Sequence, residues 1–487
     1  MSQAPADLPL VRIWELVALS ALLALYLITM VVIGDQGTFV VNLGGPAVFG
    51  VILLLGAIPA AMRDINTVWT PLFWFRIAGA VYFSFGNVIT YFLNPISQRM
   101  IESFFSGYAD LITKLNAVTT LGVLLTLSTA LVVQRLQDDG SAPSERSNQR
   151  GTQIKSPKSL FVVGTAFLVI GGLVKVLYVI PAGLGLTTST LLGSIGTLAL
   201  LADAGIYLIA VWAWNFRPNM VWAPIALTVV EVAIGLLEFN KTEVIASIMV
   251  LALAWLSKGV TVRRMAVTAG VIAMTFSVIA PFVTAGRTEM TRRYQSITGA
   301  GLAERLEIAG NYFKPTPRRV DDSQIGLMRF SYVNGSALAL SLYDSGRPGD
   351  TLATLPAIFV PRALWPDKPD MTAIGREFNY IADGNYDSAS SPGWFAEAYW
   401  DLGWVGLPVV MIPLGIILQL WSTLSLGILR SERWVYFPFC LLGMKMGTGI
   451  DGFIVPGVMG TVVLAVIAYF VVRLAVETNR KIMVTTY

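Results

Sequence analysis

The chain has 487 residues, of which 55% are hydrophobic and only 13% charged, and its net charge is +4. Soluble proteins carry about 25% charged residues, so this composition is that of a membrane protein, and no basic stripe or recognition-helix motif points to nucleic acid. With no histidine and a single cysteine, Cys440, the chain excludes an internal disulfide, zinc, haem and iron–sulfur sites, and Ser-His-Asp or Cys-His catalysis. No cofactor is expected, and no DxD, EF-hand or P-loop string supports a hard cation.

The N-terminal MSQAPADLPLVR leads into an apolar run too long for a signal-peptide core, with no A-x-A site behind it, so a retained anchor is expected. Runs near twenty residues, each able to cross ~30 Å of hydrocarbon as a helix, then recur along the chain. They predict spans at 12–34, 45–62, 70–93, 115–134, 159–180, 190–213, 221–238, 243–257, 265–285, 403–424, 434–450 and 453–473. The expected fold is therefore an all-α polytopic membrane protein of about 12 transmembrane helices. A polar stretch at 135–158, QRLQDDGSAPSERSNQRGTQIKSP, reads as a flexible linker.

Lys and Arg in short loops set orientation. One set of loops carries Arg12, Arg63, the 135–158 cluster, Arg217, Lys258, Arg263, Arg264, Arg430, Arg433, Arg473, Arg480 and Lys481. The alternate set holds only Arg99, Lys114 and Lys241. This asymmetry predicts cytoplasmic termini and an extracytoplasmic 286–402. The chain then divides into an N-terminal bundle, 1–285, one large ordered outer loop, 286–402, and C-terminal helices with a tail, 403–487. Within the spans, Arg76 is expected to snorkel to the cytoplasmic surface.

The outer segment contains VPRALWPDKPDM at 360–371. Its prolines fix φ and discourage helix, and Trp365 suits a membrane interface. Arg362 and Lys368 then sit on a stiff scaffold at headgroup height. On physical grounds alone, a positively charged interfacial anchor accounts for the motif equally well.

VPRALWPDKP resembles the outer-loop motif of bacterial O-antigen and oligosaccharide repeat-unit polymerases, the Wzy-type membrane glycosyltransferases. SSPGWFAEAYWDLGWVG at 390–406 resembles the same family, as does the topology of many helices with one dominant outer loop. The resemblance is specific over about fifty residues, as short as a motif match can be, and implies a GT-C-like architecture. It implies polymerisation of undecaprenyl-pyrophosphate-linked repeat units at the outer leaflet of the bacterial inner membrane, for O-antigen, capsule or exopolysaccharide. The implied partners are the lipid-linked glycan donor and acceptor, membrane lipids and a chain-length regulator.

The implied chemistry releases a lipid pyrophosphate, whose charge needs fixed cations. The planar Arg fork binds two phosphate oxygens at once, so guanidinium groups can supply the electrostatics without a metal. Arg362 and Arg287 are the expected catalytic cations, with Lys368, Arg292, Arg293 and, at the outer ends of their helices, Lys175 and Lys445 in supporting binding roles. For Arg292 and Arg293 a solvated helical face is the alternative. Glu397 is the expected catalytic carboxylate. It is four residues before Asp401, so the two share one face if WFAEAYWDLGW is helical. The flanking Trp394, Phe395, Tyr399, Trp400 and Trp404 are expected to form a sugar-stacking and interface belt, with lipid anchors beside solvated acids as the alternative, and Trp365 and Asp401 are expected to contribute to substrate binding. Lys175 has a second reading, a buried ion pair with Asp203 or Glu231 that holds the bundle together.

Three other readings compete, one of them a non-catalytic scaffold within an export complex. A transporter or flippase suits the span count, although no paired broken-helix signature is present. An O-antigen ligase is less expected, because by family resemblance it relies on an outer-loop histidine, and this chain has none.

Overall fold

A computed structural model describes residues 10–92, 108–139, 157–184, 197–259, 261–294, 300–312, 330–360, 365, 373–384, 386, 389–462, 465–466 and 469. Every element among these residues is helical, because the sequence is a series of apolar runs and a helix satisfies its backbone internally without water. The helices are α1 (Ile13–Val32), α2 (Phe39–Arg63), α3 (Pro71–Ala78), α4 (Ile112–Asp139), α5 (Pro157–Val174), α6 (Leu200–Phe216), α7 (Trp222–Leu237), α8 (Lys241–Leu256), α9 (Val262–Tyr294), α10 (Leu302–Tyr312), α11 (Val333–Asp344), α12 (Ala373–Asp383), α13 (Trp394–Leu402), α14 (Gly406–Arg430) and α15 (Phe437–Thr448).

Eight helical runs among the described residues are long and apolar enough to cross a bilayer: Ile13–Val32, Phe39–Arg63, Pro71–Phe92, Ile112–Asp138, Pro157–Gly183, Pro218–Leu237, Val262–Tyr294 and Trp394–Arg430. Large apolar side chains such as Val17, Ile28, Val51, Val162, Val229 and Met274 point outward from them. Apolar surface turned outward on long apolar helices is the mark of a lipid-facing bundle. The chain is an all-helical polytopic membrane protein.

The other four expected spans are not among these eight. Within the described residues, the runs at 190–213, 243–257 and 434–450 hold the shorter helices α6, α8 and α15, and 190–196 lies outside the described residues. Helices of 17, 16 and 12 residues fall short of the roughly 20 that a straight span needs, and α6 is buried along nearly its whole length. The predicted span 453–473 is only partly within the described residues.

The chain forms two compact units. The first comprises 1–151, 328–430 and 442–487, and α4 is its hub, packing against α1, α2, α13 and α14. Helix α13 continues toward α14 through Gly403, whose φ of 63° is a left-handed turn that glycine adopts at no steric cost. The predicted outer segment is divided between the units, 286–327 in the second and 328–402 in the first.

The second unit comprises 152–327 and 431–441. Its core includes Phe239, Val244, Ile279, Phe282, Val283, Met290 and Ile308. Helices α5 and α6 pack closely, and α5 meets α6 through small residues, the usual device for close helix approach in lipid. A Cβ at Gly171 would run into the backbone of Ala202, whereas one at the neighbouring Gly172 meets nothing within 4 Å. Gly171→Ala is therefore expected to destabilise this unit by about 2 kcal/mol through overpacking. Gly172→Ala is expected to be neutral or slightly stabilising through helix propensity. Thermal melts of the two purified variants check the contrast.

Candidate functional site

Glu397 and Asp401 do share one face of a helix, as their spacing predicts. That face looks inward. Glu397 has no exposed surface and Asp401 is 8% exposed. Glu397 Oε1 lies 2.8 Å from the Thr351 hydroxyl, and its Oε2 accepts the Ile454 backbone N–H at 2.6 Å. Asp401 Oδ2 lies 2.8 Å from the same hydroxyl and accepts the Leu352 N–H at 2.7 Å. Asp401 Oδ1 faces Gly349 and has no hydrogen-bond partner among the described residues. Both Glu397 oxygens are thus engaged within the protein and none of its surface is exposed.

The carboxylates hold other segments in place. Thr351 and Leu352 open the stretch that runs through Leu355–Phe359 to VPRALWPDKP. On the far side of that motif, Ser390 N–H donates to Gly375 O at 3.0 Å, and the Ser390 hydroxyl pairs with the Asn379 side chain. The segments on either side of the motif are thus held within the first unit. Of its residues, Trp365 is described and is 40% exposed. Arg362 and Lys368 lie outside the described residues.

The expected aromatic belt is largely absent. Trp394, Phe395, Tyr399 and Trp400 are buried, and only Trp404, at 37%, is exposed. Phe395 packs edge-on against Phe83 at 5.1 Å, and Trp400 against Phe378 at 5.3 Å. These rings form a protein core because α13 is enclosed by α4, α11 and α14. A short helix with aromatics all round is buried on every side.

A second polar group adjoins this core. Lys114 Nζ lies 2.6 Å from Asp344 Oδ2 and 3.8 Å from Asp35 Oδ2. The Tyr399 hydroxyl donates to Asp344 Oδ1 at 2.9 Å, and Lys114 sits over the Tyr399 ring. Tyr332 donates to Asp451 at 2.7 Å. Elsewhere in the first unit, Arg430 pairs with Asp64 at 3.0 Å. Lys445 is exposed on α15.

Arg76 does not snorkel. It is 2% exposed, and its Nε and Nη2 donate to Glu15 Oε2 at 3.1 and 2.9 Å. A carboxylate within the bundle removes any need for the guanidinium to reach water.

The remaining predicted residues belong to the second unit. Arg287 Nε donates to the Phe239 carbonyl at 2.8 Å. Phe239 has a φ of 50°, a left-handed turn just beyond α7. Arg305, fully buried, donates to the Leu237 carbonyl at 3.2 Å and to the Ala300 carbonyl at 2.9 Å. Two guanidiniums thus satisfy carbonyls at the helix C-terminus, where the backbone lacks donors and favours positive charge. Arg292 and Arg293 both pair with Glu289, at 2.7 and 2.6 Å, and Arg293 also with Glu307 at 3.0 Å. The pair is surface-exposed, as the solvated-face alternative has it, and Glu289 at i−3 and i−4 is the added partner.

Lys175 is buried within an ionic cluster. Its Nζ lies 2.7 Å from Glu231, 2.8 Å from Glu243 and 3.4 Å from Asp203. The ion-pair reading of Lys175 is realised, with Glu243 as a third acid. Glu238 lies beside the cluster, just past the apolar run of α7. Burial, then the Glu243 charge, pushes its carboxyl up to about 7, against the opposing pull of Arg305.

No family model matches the chain, and no curated protein or solved structure is significantly similar to it.

Proposed function

We propose that this protein polymerises undecaprenyl-pyrophosphate-linked oligosaccharide repeat units at the outer leaflet of the bacterial inner membrane, as a metal-independent glycosyltransferase. The observation that carries this reading is the tethering of VPRALWPDKP. A stretch rich in proline and cations, fixed at both ends to a helical membrane bundle, is what recognition of a lipid pyrophosphate at the bilayer surface requires. Arg362 is the proposed ligand of the leaving pyrophosphate, with Lys368 as a second charge. Glu397 and Asp401 hold the start of that stretch rather than touch substrate.

The proposed orientation has support from within the first unit. Asp35, Lys114, Asp344, Tyr332 and Asp451 all belong to segments that loop charges put on the outer side, and they pair with one another. Asp64 and Arg430, assigned to the cytoplasmic side, pair together. A carboxylate-rich cluster around a buried lysine favours a second reading, a transporter of lipid-linked sugars, since intramembrane ionisable groups mark ion pathways.

Loss of the gene separates these functions by product. A polymerase-less strain is expected to accumulate single repeat units on the outer face of the membrane, either on the lipid carrier or passed on unpolymerised. Single units confined to the cytoplasmic leaflet would instead establish the transport reading. Long chains left on the carrier would point to a ligase and overturn the polymerase assignment.

A further inference from the structure

The Thr351 hydroxyl is shared by two carboxyl oxygens, each 2.8 Å away. A hydroxyl has one proton to donate. If Glu397 and Asp401 were both ionised, one of these contacts would set a lone pair against a carboxylate with nothing between them. A second proton is therefore present, and the remaining bonds say where it sits. Asp401 Oδ2 also accepts the Leu352 N–H, the behaviour of an anionic oxygen with two donors. Glu397 Oε1 meets the Thr351 hydroxyl, while Oε2 accepts the Ile454 N–H. That is the pattern of a neutral acid, whose carbonyl oxygen accepts and whose hydroxyl donates. Burial agrees, since the fully enclosed carboxyl has no cation paired with it among the described residues and loses most by carrying charge.

We infer that Glu397 is a protonated acid that donates from Oε1 to Thr351 Oγ1, whose own proton goes to ionised Asp401. The relay makes Glu397 a positioning residue. It joins α13 to the 351–352 segment that leads into VPRALWPDKP and to the backbone at Ile454. Charged groups on the elements packed around α13 include Lys114, Asp344 and Asp350, with Arg135, Asp138, Asp139 and Arg430 at the far ends of α4 and α14. Lys114 and Asp344 are paired with each other and Arg430 with Asp64, and Asp350 is itself an acid, so none of these supplies a counter-charge to Glu397. The relay stands on geometry alone and holds whichever reaction the protein performs.

Glutamine reproduces the neutral acid, with a carbonyl for Ile454 and an N–H for Thr351. Glu397→Gln is therefore expected to melt with the wild-type protein, with any change in the unfolding constant within about threefold, the worth of half a hydrogen bond or so. Thr351→Ser, which keeps the hydroxyl, should behave likewise. Glu397→Ala and Thr351→Val should each lower the melting temperature. Infrared spectra of the full-length protein in detergent supply a readout that packing alone does not move. The carbonyl stretch of one protonated carboxylic acid should vanish in Glu397→Gln and persist in Asp401→Asn. Loss of that band in Asp401→Asn instead would put the proton on Asp401, and loss in neither variant would mean no shared proton. Either result overturns the relay, as does a Glu397→Gln variant as unstable as Glu397→Ala.

Discussion

Lys175→Met is expected to destabilise the second unit by about 3 kcal/mol or more at neutral pH, the cost of breaking a buried ionic group by removing one partner. Asp203, Glu231 and Glu243 would then face one another without the ammonium that all three now contact. Methionine fills a similar volume, so the loss reports charge and not a cavity. The same three acids can escape by taking up protons, so acidification should restore much of the loss. Adding Glu231→Gln to Lys175→Met should recover part of it at neutral pH, and a double-mutant cycle measures the coupling. Unfolding of purified protein followed by tryptophan fluorescence is a suitable measurement. Equal stability of wild type and Lys175→Met at neutral pH would mean that the cluster contributes nothing to the unit.

Glu238 adds a pH dependence of its own to that unit. Its ordinary value of 4.5 is pushed up to about 7, first by burial and then by Glu243. The folded state therefore keeps a proton that the unfolded chain releases. Linkage makes the contribution full below about 4.5 and lost progressively as pH rises through about 7. In Glu238→Gln this slope should flatten.

What the sequence revealed was local. Apolar runs show themselves because a span is contiguous, and the pairing of Glu397 with Asp401 on one face follows from spacing alone. What those carboxyls touch was hidden, since Thr351 and Ile454 are 46 and 57 residues from Glu397 and nothing in their own neighbourhoods marks them. The aromatics of α13 were misread for a related reason. Trp, Tyr and Phe beside a span have the same composition whether they face lipid headgroups or a core, and only the packing partners distinguish the two. Glu289, by contrast, was within reach, since a carboxylate three and four residues before Arg292 and Arg293 is a helical ion pair by position. The Lys175 cluster lay between these extremes. Charge inside a span called for a partner, and two of its three partners could be named, but Glu243 opens a separate predicted span and pairs with Lys175 from 68 residues away.

Arg76→Met is the matching test in the first unit, and a loss of about 3–5 kcal/mol is expected there. Glu15 has no exposed surface and packs against α2 at Gly56, so removing the guanidinium leaves a carboxylate in the bundle that keeps the Arg12 N–H, at 3.2 Å, as a donor among the described residues. The lost bonds include one from Arg76 Nη2 to the Leu10 carbonyl at 2.9 Å, which pins the chain just ahead of α1. The pair itself is a different matter, because two desolvated charges often do no better than well-packed neutral side chains. Adding Glu15→Gln to Arg76→Met should therefore recover most of the loss, leaving chiefly the Leu10 contact unreplaced. A double variant as unstable as Arg76→Met alone would mean that the guanidinium acts through Leu10 and packing, with Glu15 incidental. If Arg76→Met itself melts with the wild type, the side chain reaches water after all, as an arginine near a helix end is free to do.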